Sequence, residues 1–113
     1  MVIVDIALAT ICFMGTCHNA LIGNDTPRGE FTLIQRLTET PGYGGDVLQF
    51  KETEEDVYAI HRVYLLHPAQ RRAQRLKSKN IADRTITKGC INVSPEVYEA
   101  LVECCSTDTV EIK

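Results

Sequence analysis

The first fourteen residues constrain the fold most, because they form an apolar run that would be hydrophobic on both faces of an extended strand. One face would carry Val2, Val4, Ile6 and Leu8, and the other Ile3, Ala7, Ala9 and Ile11. Two apolar faces are typical of a strand that is covered on both sides. The run is too short to span a bilayer, no basic residue precedes it, and Asp5 interrupts it. We therefore expect a core strand over residues 2–13 and no export signal.

The rest of the chain predicts a mainly β domain. Apolar runs predict further strands at 18–22, 31–37, 47–50, 57–66 and 109–113, with a hairpin turn at Gly15. Pro68 suits the first turn of a helix over residues 68–79, and Ser94 followed by Pro95 suits the start of a second helix. The pattern predicts six or seven strands and two helices in one domain spanning residues 1–113.

Composition excludes some classes of function. The chain is 44% apolar with a net charge of −3, so it has no basic excess that would attract nucleic acid. It also has no tryptophan, and few aromatic residues of any kind on which bases could stack. We therefore expect no nucleic-acid partner.

The five cysteines, at 12, 17, 90, 104 and 105, fit no zinc-binding spacing. Cys12 and Cys17 would face each other across a hairpin, either as a disulfide or as two small buried side chains. Cys104 and Cys105 are adjacent and are not expected to pair with each other. If four cysteines did pair, the one left free would be Cys90.

The segment around Cys90 carries the clearest chemical signal. Gly89 allows a tight turn, so that backbone N–H groups can point at one spot beside the sulfur, an arrangement that acyl transfer needs. Lys88 or a following helix would favour the thiolate. His61, at the end of an apolar strand, is the candidate general base, ahead of His67 and His18. The alternatives are an inert buried cysteine and a histidine with a structural role.

Three segments together resemble the L,D-transpeptidase catalytic domain, also called the YkuD-like family. They are Thr26-Pro27-Arg28-Gly29-Glu30-Phe31, then His61, then Thr87-Lys88-Gly89-Cys90-Ile91-Asn92. The resemblance implies a β-sandwich with two short helices, with Cys90 as nucleophile and His61 as base. It also implies that the carbonyl of Arg62 holds the imidazole and that the N–H groups of Gly89 and Cys90 stabilise the oxyanion.

The expected substrate-binding residues are Thr87, Lys88, Asn92, Arg72 and Arg75. Asn92 would orient the loop or touch the substrate, unless it is only a cap before the second helix. Arg72 and Arg75 belong to a basic segment that lengthens the gap between His61 and Cys90. Such a segment is either a solvated face or a source of arginines for a substrate carboxylate. The glycine-rich loop around Tyr43 is either a lid or an ordinary hairpin loop.

The resemblance implies an enzyme that cleaves the diaminopimelate–D-alanine bond of peptidoglycan tetrapeptide stems, by L,D-transpeptidation or L,D-carboxypeptidation. It implies acylation by carbapenems, no metal or organic cofactor, and a periplasmic or wall-facing location. With no signal in the chain, a leader has been trimmed or export is non-classical. Two alternatives remain: an antibacterial effector of the same fold, paired with an immunity protein, and a non-catalytic wall-binding module. A papain-like protease is disfavoured, because its cysteine precedes its histidine.

Overall fold

The computed structural model describes residues 1–63 and 65–113, which form two β-sheets and two short helices. The first sheet has the strand order β3-β2-β1-β9-β4, built from β1 (Val2–Asp5), β2 (Thr10–Phe13), β3 (Thr16–Asn19), β4 (Gly29–Thr32) and β9 (Thr109–Ile112). The second has the order β5-β6-β7-β8, built from β5 (Ile34–Leu37), β6 (Asp46–Glu52), β7 (Val57–Arg62) and β8 (Ile91–Val93). The helices are α1 (Arg72–Leu76) and α2 (Pro95–Cys105). The prediction of a mainly β fold with two helices is confirmed.

The apolar run at the start of the chain is two strands, not one. β1 and β2 pair in antiparallel fashion, with Val4 opposite Ile11. The Asp5 carboxylate accepts the N–H of Leu8 at 3.1 Å, and Ala9 has a φ of 50°, so the chain reverses between them. The prediction of a single strand over 2–13 was wrong, because Asp5 starts a turn that the continuous apolar pattern conceals.

The predicted strand over 31–37 is likewise divided, and its halves lie in different sheets. β4 pairs with β9, whereas β5 pairs with β6. Leu33 lies between them, is 2% exposed, and donates its N–H to Asp108 O at 2.9 Å. The chain thus passes from one sheet to the other at Leu33, whose side chain is buried in the core.

The two sheets and α2 share one hydrophobic core. Its fully buried members come from every layer, among them Ile11, Val110, Leu48, Ile60, Ile91, Tyr98 and Leu101. Each large apolar side chain buried in this way stabilises the fold by about 1.5–3 kcal/mol. Ser94 caps α2 by accepting the N–H of Val97 at 3.2 Å, and Pro95 is its first residue, as predicted. No helix among residues 1–63 and 65–113 is long and apolar enough to cross a membrane.

The basic segment over 68–79 is a broken helix. Pro68–Gln70 form a 3₁₀ turn, and Arg71 adopts a left-handed conformation (φ 51°) before α1 begins. A second 3₁₀ turn, Ile81–Arg84, follows and ends in the buried Arg84. We call residues 68–84 the insertion, because they lengthen the stretch between His61 and Cys90. The Arg84 guanidinium donates to the carbonyls of Leu8 (2.7 Å) and Ala9 (3.3 Å), which ties the insertion to the β1–β2 turn.

Four of the five cysteines are paired. Cys12 and Cys17 form a disulfide across the β2–β3 hairpin, where they are register partners. Cys104 and Cys105 form a disulfide between neighbours at the end of α2, so the expectation that they do not pair was wrong. Cys90 is the free cysteine.

Candidate active site

Parallel pairing of β7 with β8 brings His61, Asn92 and Cys90 together. His61 and Asn92 are register partners, and so are Ile60 and Ile91. Because side chains alternate across a strand, Ile60 and Ile91 point into the core while His61 and Asn92 share the opposite face. Cys90 precedes Asn92 by two residues and therefore lies on that face, just before β8 begins.

The loop that carries Cys90 is fixed by the Thr87 hydroxyl and by Gly89. Thr87 Oγ1 donates to Cys90 O at 2.6 Å and accepts the N–H of Gly89 at 3.2 Å. Gly89 has a φ of +136°, and a Cβ there would lie 2.5 Å from the Tyr58 ring. Only glycine fits this position, which explains why it stands before the cysteine.

A turn near the start of the chain supports the same loop from the other side. Thr26 Oγ1 accepts the N–H of Gly23 at 3.0 Å, and Thr26 N–H donates to Gly23 O at 3.2 Å. A Cβ on Gly23 would come within 2.9 Å of the Thr87 carbonyl carbon. Ile22 O accepts the N–H groups of Ile86 (2.8 Å) and Thr87 (2.9 Å). The Thr-Pro-x-Gly-x-Phe segment therefore acts structurally, by holding the turn against the cysteine loop.

The imidazole of His61 is almost fully buried, at 3% exposure, with partners on both nitrogens. Nδ1 lies 2.6 Å from the carbonyl oxygen of Arg62, and Nε2 lies 3.3 Å from Asn92 Nδ2. A carbonyl oxygen can only accept, so Nδ1 carries the proton and Nε2 is the basic nitrogen. The Tyr43 ring packs on the imidazole, with centroids 4.5 Å apart.

The side chain of Arg62 is clamped, which fixes the carbonyl that holds His61. Its Nη1 donates to Asp46 Oδ1 (2.8 Å) and to Tyr43 O (3.2 Å), and its Nη2 donates to Glu99 (2.9 Å). The guanidinium also lies over the Tyr98 ring, 4.3 Å from its centroid. The clamp therefore positions both the Arg62 backbone and the Tyr43 loop around the imidazole.

Asp46 is the anionic centre of this clamp. Burial opposes its ionisation, but hydrogen bonds from Arg62, Gln35 and Tyr98 outweigh burial and hold the pKa of the carboxyl below its usual value. The Tyr98 hydroxyl donates to Asp46 at 2.9 Å, and burial together with this bond raises the pKa of the phenol. Asp46 and Arg62 therefore both stay charged at neutral pH, because the pKa of the carboxyl is lowered and that of the guanidinium is raised.

Cys90 is half-buried and is a neutral thiol in this arrangement. Burial raises its pKa, and the charge of Asp56 adds to that, against a backbone hydrogen bond from Ala59 and the charge of Arg72. The thiol donates to Val57 O, with the sulfur and oxygen 3.7 Å apart. The expectation that Lys88 or a helix terminus favours the thiolate was wrong, because β8 separates Cys90 from α2 and burial outweighs the charge of Arg72, the cation that acts on the thiol.

His61 is neutral as well. Burial lowers its pKa to about 4, the hydrogen bond to Arg62 opposes this, and the charge of Arg72 adds to it. At pH 7 the site therefore holds a thiol and an imidazole, not a thiolate–imidazolium pair. The thiol is directed at Val57 O, so transfer of its proton to Nε2 would require the thiol to turn toward the imidazole.

Two clefts meet at Cys90 and His61, and Tyr43 and Val57 also line both. The first has a volume of about 420 Å³ and is polar, with Arg72, Thr87 and Lys88 in its wall. The second, about 460 Å³, runs toward β5 and the loop after it, and its far wall is Arg36, Leu37, Thr38 and Thr40. The Cys90 side chain is thus accessible from two directions.

The predicted substrate-binding residues lie in different settings. Arg72, Thr87 and Lys88 line the first cleft, whereas Asn92 is fully buried beneath it, between His61 and Arg72. Arg75 lies outside both clefts, where it donates to the carbonyls of Gln70 (2.9 Å) and Asp83 (3.3 Å). Of the rival histidines, His67 lines the first cleft, and His18 stacks near Phe13 in the other sheet.

Sequence reasoning missed the clamp around Arg62 and the anchor at Arg84. The clamp joins Asp46, Arg62 and Glu99, which are far apart in the chain, so no local pattern reveals it. One signal was present in the glycine-rich loop: Gly44 has a φ of +80°, and a Cβ there would lie 2.9 Å from Arg62 Cδ. The glycine lets the loop approach the arginine.

Comparison with models of known protein families and with curated proteins gives no match. Solved structures do match. An L,D-transpeptidase from Xylanimonas cellulosilytica has a TM-score of 0.61 at 20% identity over 99% of this chain and 59% of that one. The L,D-transpeptidase from Mycobacterium smegmatis has a TM-score of 0.61 at 19% identity, and the match covers 99% of this chain and 57% of that one. Mycobacterium tuberculosis L,D-transpeptidase 1 has a TM-score of 0.57 at 16% identity, and the match covers 99% of this chain and 60% of that one.

The chain spans less than two thirds of each of these proteins. The match covers both sheets and both helices, because it takes in 99% of the chain described above. Over nearly its whole length, this chain has the fold of L,D-transpeptidase (YkuD) catalytic domains.

Proposed function

We propose that the protein is a cysteine-dependent acyltransferase that acts on peptidoglycan tetrapeptide stems, with Cys90 as nucleophile and His61 as general base. The observation that carries this proposal is the parallel β7–β8 pairing, which sets the free cysteine beside a buried histidine in a shared cleft. The hydrogen bond from His61 Nδ1 to Arg62 O leaves Nε2 as the basic nitrogen. The L,D-transpeptidase fold supplies the substrate class.

In the first half-reaction, Nε2 of His61 takes the thiol proton as the sulfur attacks the carbonyl carbon of the diaminopimelate–D-alanine amide. The tetrahedral intermediate collapses, the amide C–N bond breaks, and the imidazolium gives its proton to the departing amine of D-alanine. A thioester on Cys90 remains. An amine of a second stem, or water, then loses a proton to His61 and attacks that thioester, which restores the thiol.

The backbone N–H groups of Gly89 and Cys90 are our candidates for the oxyanion donors. The N–H of Gly89 now bonds Thr87 Oγ1 at 3.2 Å, a long bond that an oxyanion can displace. A charged acceptor strengthens such a bond, and loss of one oxyanion donor typically costs about 3 kcal/mol of barrier height. Thr87 would then serve the substrate indirectly, through the loop.

The polar cleft suits a substrate that carries carboxylates. Arg72 and Lys88 line it, and stem peptides end in a carboxylate and carry another on diaminopimelate. Asp56 also lines this cleft and would disfavour an anion close to it, so we assign the carboxylate to Arg72 and Lys88. Arg75 would contribute only by holding the insertion, through its bonds to Gln70 O and Asp83 O.

The second cleft favours transpeptidation over simple carboxypeptidation. A transpeptidase must admit an amine from a second stem after D-alanine has left, whereas a carboxypeptidase needs only water. The groove toward Leu37 and Thr40 reaches Cys90 without crossing the Arg72 side. The two disulfides fit an oxidising compartment, and we therefore assign the protein to the periplasm or the wall.

The test is incubation of the protein with tetrapeptide muropeptides, followed by mass spectrometry of the products. Cys90→Ala is the inactive reference, and Cys90→Ser tests whether the sulfur itself is needed. Dimers joined through two diaminopimelates would identify a transpeptidase, and tripeptides alone a carboxypeptidase. Unchanged muropeptides in every sample would overturn the proposal, and retained sacculus binding would then indicate a wall-binding module. A carbapenem adduct that maps to Cys90 would support the acylation step independently of the acceptor.

A further inference from the structure

A chain of hydrogen bonds runs from the insertion to the candidate base. Arg72 Nη1 on α1 donates to Asn92 Oδ1 at 2.8 Å. Asn92 Nδ2 lies 3.3 Å from His61 Nε2, and His61 Nδ1 lies 2.6 Å from Arg62 O. Asn92 is fully buried and His61 nearly so, so water does not compete for these groups.

The direction of every bond in this chain follows from its two ends. A guanidinium has donors only, so the oxygen of the Asn92 amide must face Arg72 and the NH₂ group must face His61. His61 Nε2 must therefore accept. At the other end a carbonyl oxygen can only accept, so His61 Nδ1 must donate to Arg62. Both ends give the same neutral tautomer of His61, with its proton on Nδ1.

We propose that Arg72 is a positioning residue: by fixing the orientation of the Asn92 amide, it keeps His61 neutral with a basic Nε2. The insertion that separates His61 from Cys90 in sequence thus completes the base. The catalytic consequence rests on the function proposed above, whereas the tautomer itself is a property of the substrate-free protein. This role differs from direct carboxylate binding by Arg72, because it needs no ligand.

Removal of Arg72 would raise the pKa of His61 in two ways. The Asn92 amide would be free to turn its oxygen toward Nε2, and two acceptors flanking an imidazole favour the doubly protonated form. The nearby positive charge would also be lost, and that charge now lowers the His61 pKa. Other titratable or charged groups that line the same cleft as His61 are Tyr43, Asp56, Tyr58, His67, Lys88 and Cys90.

The experiment is a pH titration of the ring nitrogens by NMR, on protein labelled with ¹⁵N-histidine. The chain has three histidines, so a His61→Gln sample assigns the signal. In the parent, His61 should show the Nδ1–H tautomer and stay neutral down to about pH 4. In Arg72→Met we expect the pKa to rise by about one unit or more, together with loss of the single tautomer.

Lys77→Met is the matched control, because it removes a cation from the same insertion at an exposed position away from Asn92. It should leave the His61 titration as in the parent. Asn92→Asp gives an independent test, since a carboxylate can accept from both Arg72 and Nε2 and should also raise the His61 pKa. Parent-like titration in a folded Arg72→Met, or in a folded Asn92→Asp, would overturn the proposal.

The catalytic consequence is measured from the pH profile of kcat/KM with tetrapeptide substrate, at its acid limb. That limb should move to higher pH in Arg72→Met, because the base would be protonated over a wider range. A residue that only bound the substrate carboxylate would raise KM without moving the limb, which would overturn the positioning role. If the parent shows no turnover, the proposed function fails while the NMR result still decides the role of Arg72.

Discussion

The imidazole of His61 is held by the backbone of its own neighbour, with Nδ1 2.6 Å from the carbonyl oxygen of Arg62. Neighbours in a strand point to opposite faces, so the Arg62 side chain leaves the cleft and enters the clamp with Asp46 and Glu99. One residue thus serves both faces of β7. Its backbone orients the imidazole of His61, and its side chain fixes that backbone.

Asp46→Asn should weaken the clamp and lower the free energy of unfolding by about 1–3 kcal/mol at pH 7, because a shielded charge pair and a tyrosine hydrogen bond are lost. The folded-state pKa of Asp46 is lowered, so its contribution is full above the unfolded value and disappears as pH falls through the folded one. Urea denaturation of parent and variant at pH 7 and pH 3 measures the loss of unfolding free energy and its dependence on pH. An equal difference between parent and variant at the two pH values would contradict this assignment.

The buried neutral His61 should make the protein more stable at pH 7 than at pH 4.5. Its folded pKa is about 4, below the usual value of 6.5, so the unfolded state binds more protons between these limits. The linked free energy amounts to about 3 kcal/mol and is lost as pH falls through this window. His61→Gln should flatten the pH dependence in urea denaturation. A parent curve that is already flat between pH 4.5 and 7 would rule out a buried neutral imidazole.

Gly89→Ala should displace the cysteine loop. The added Cβ would meet the Tyr58 ring at 2.5 Å, and the φ of +136° adds backbone strain, at a combined cost of roughly 2–4 kcal/mol. Gly15→Ala is the matched control, because Gly15 also has a positive φ (+76°) but open space around it. We expect both variants to lose stability and only Gly89→Ala to change the rate of Cys90 alkylation. Equal alkylation rates in the two variants would show that the loop absorbs the methyl group.

Iodoacetamide should modify one thiol per chain without reductant, and five after reduction and unfolding, because Cys90 is the only free cysteine among five. The rate should be lower than that of a peptide cysteine at pH 7 and should keep rising into alkaline pH, since burial raises the pKa of the thiol. Intact mass and peptide mapping give the stoichiometry and the site. A rate plateau near neutral pH would instead indicate a thiolate at rest.

Sequence predicted those features that depend on local signals. Ser94 and Pro95 define the start of α2, and the motifs around His61 and Cys90 identified the residues that β7 and β8 bring together. The division of the first apolar run was missed, because alternation continues through the turn at Asp5. The disulfide between Cys104 and Cys105 was missed because adjacent cysteines rarely pair.

Contacts between distant positions that no motif marks were beyond sequence reasoning. Arg72 was singled out as a ligand for substrate, but its bond to Asn92 depends on where α1 packs after the left-handed Arg71. The pKa of Cys90 was misjudged for a similar reason. A neighbouring lysine is visible in the sequence, whereas the burial that raises the pKa of the thiol belongs to the tertiary structure.

The passage of the chain between sheets at Leu33 determines which changes in chain length the fold can tolerate. β4 and β5 meet there without a loop, so one inserted or deleted residue between them would turn the faces of β5 over relative to β6, or those of β4 relative to β9. Length variation among natural or engineered versions of this domain should therefore be absent from the corner at Leu33.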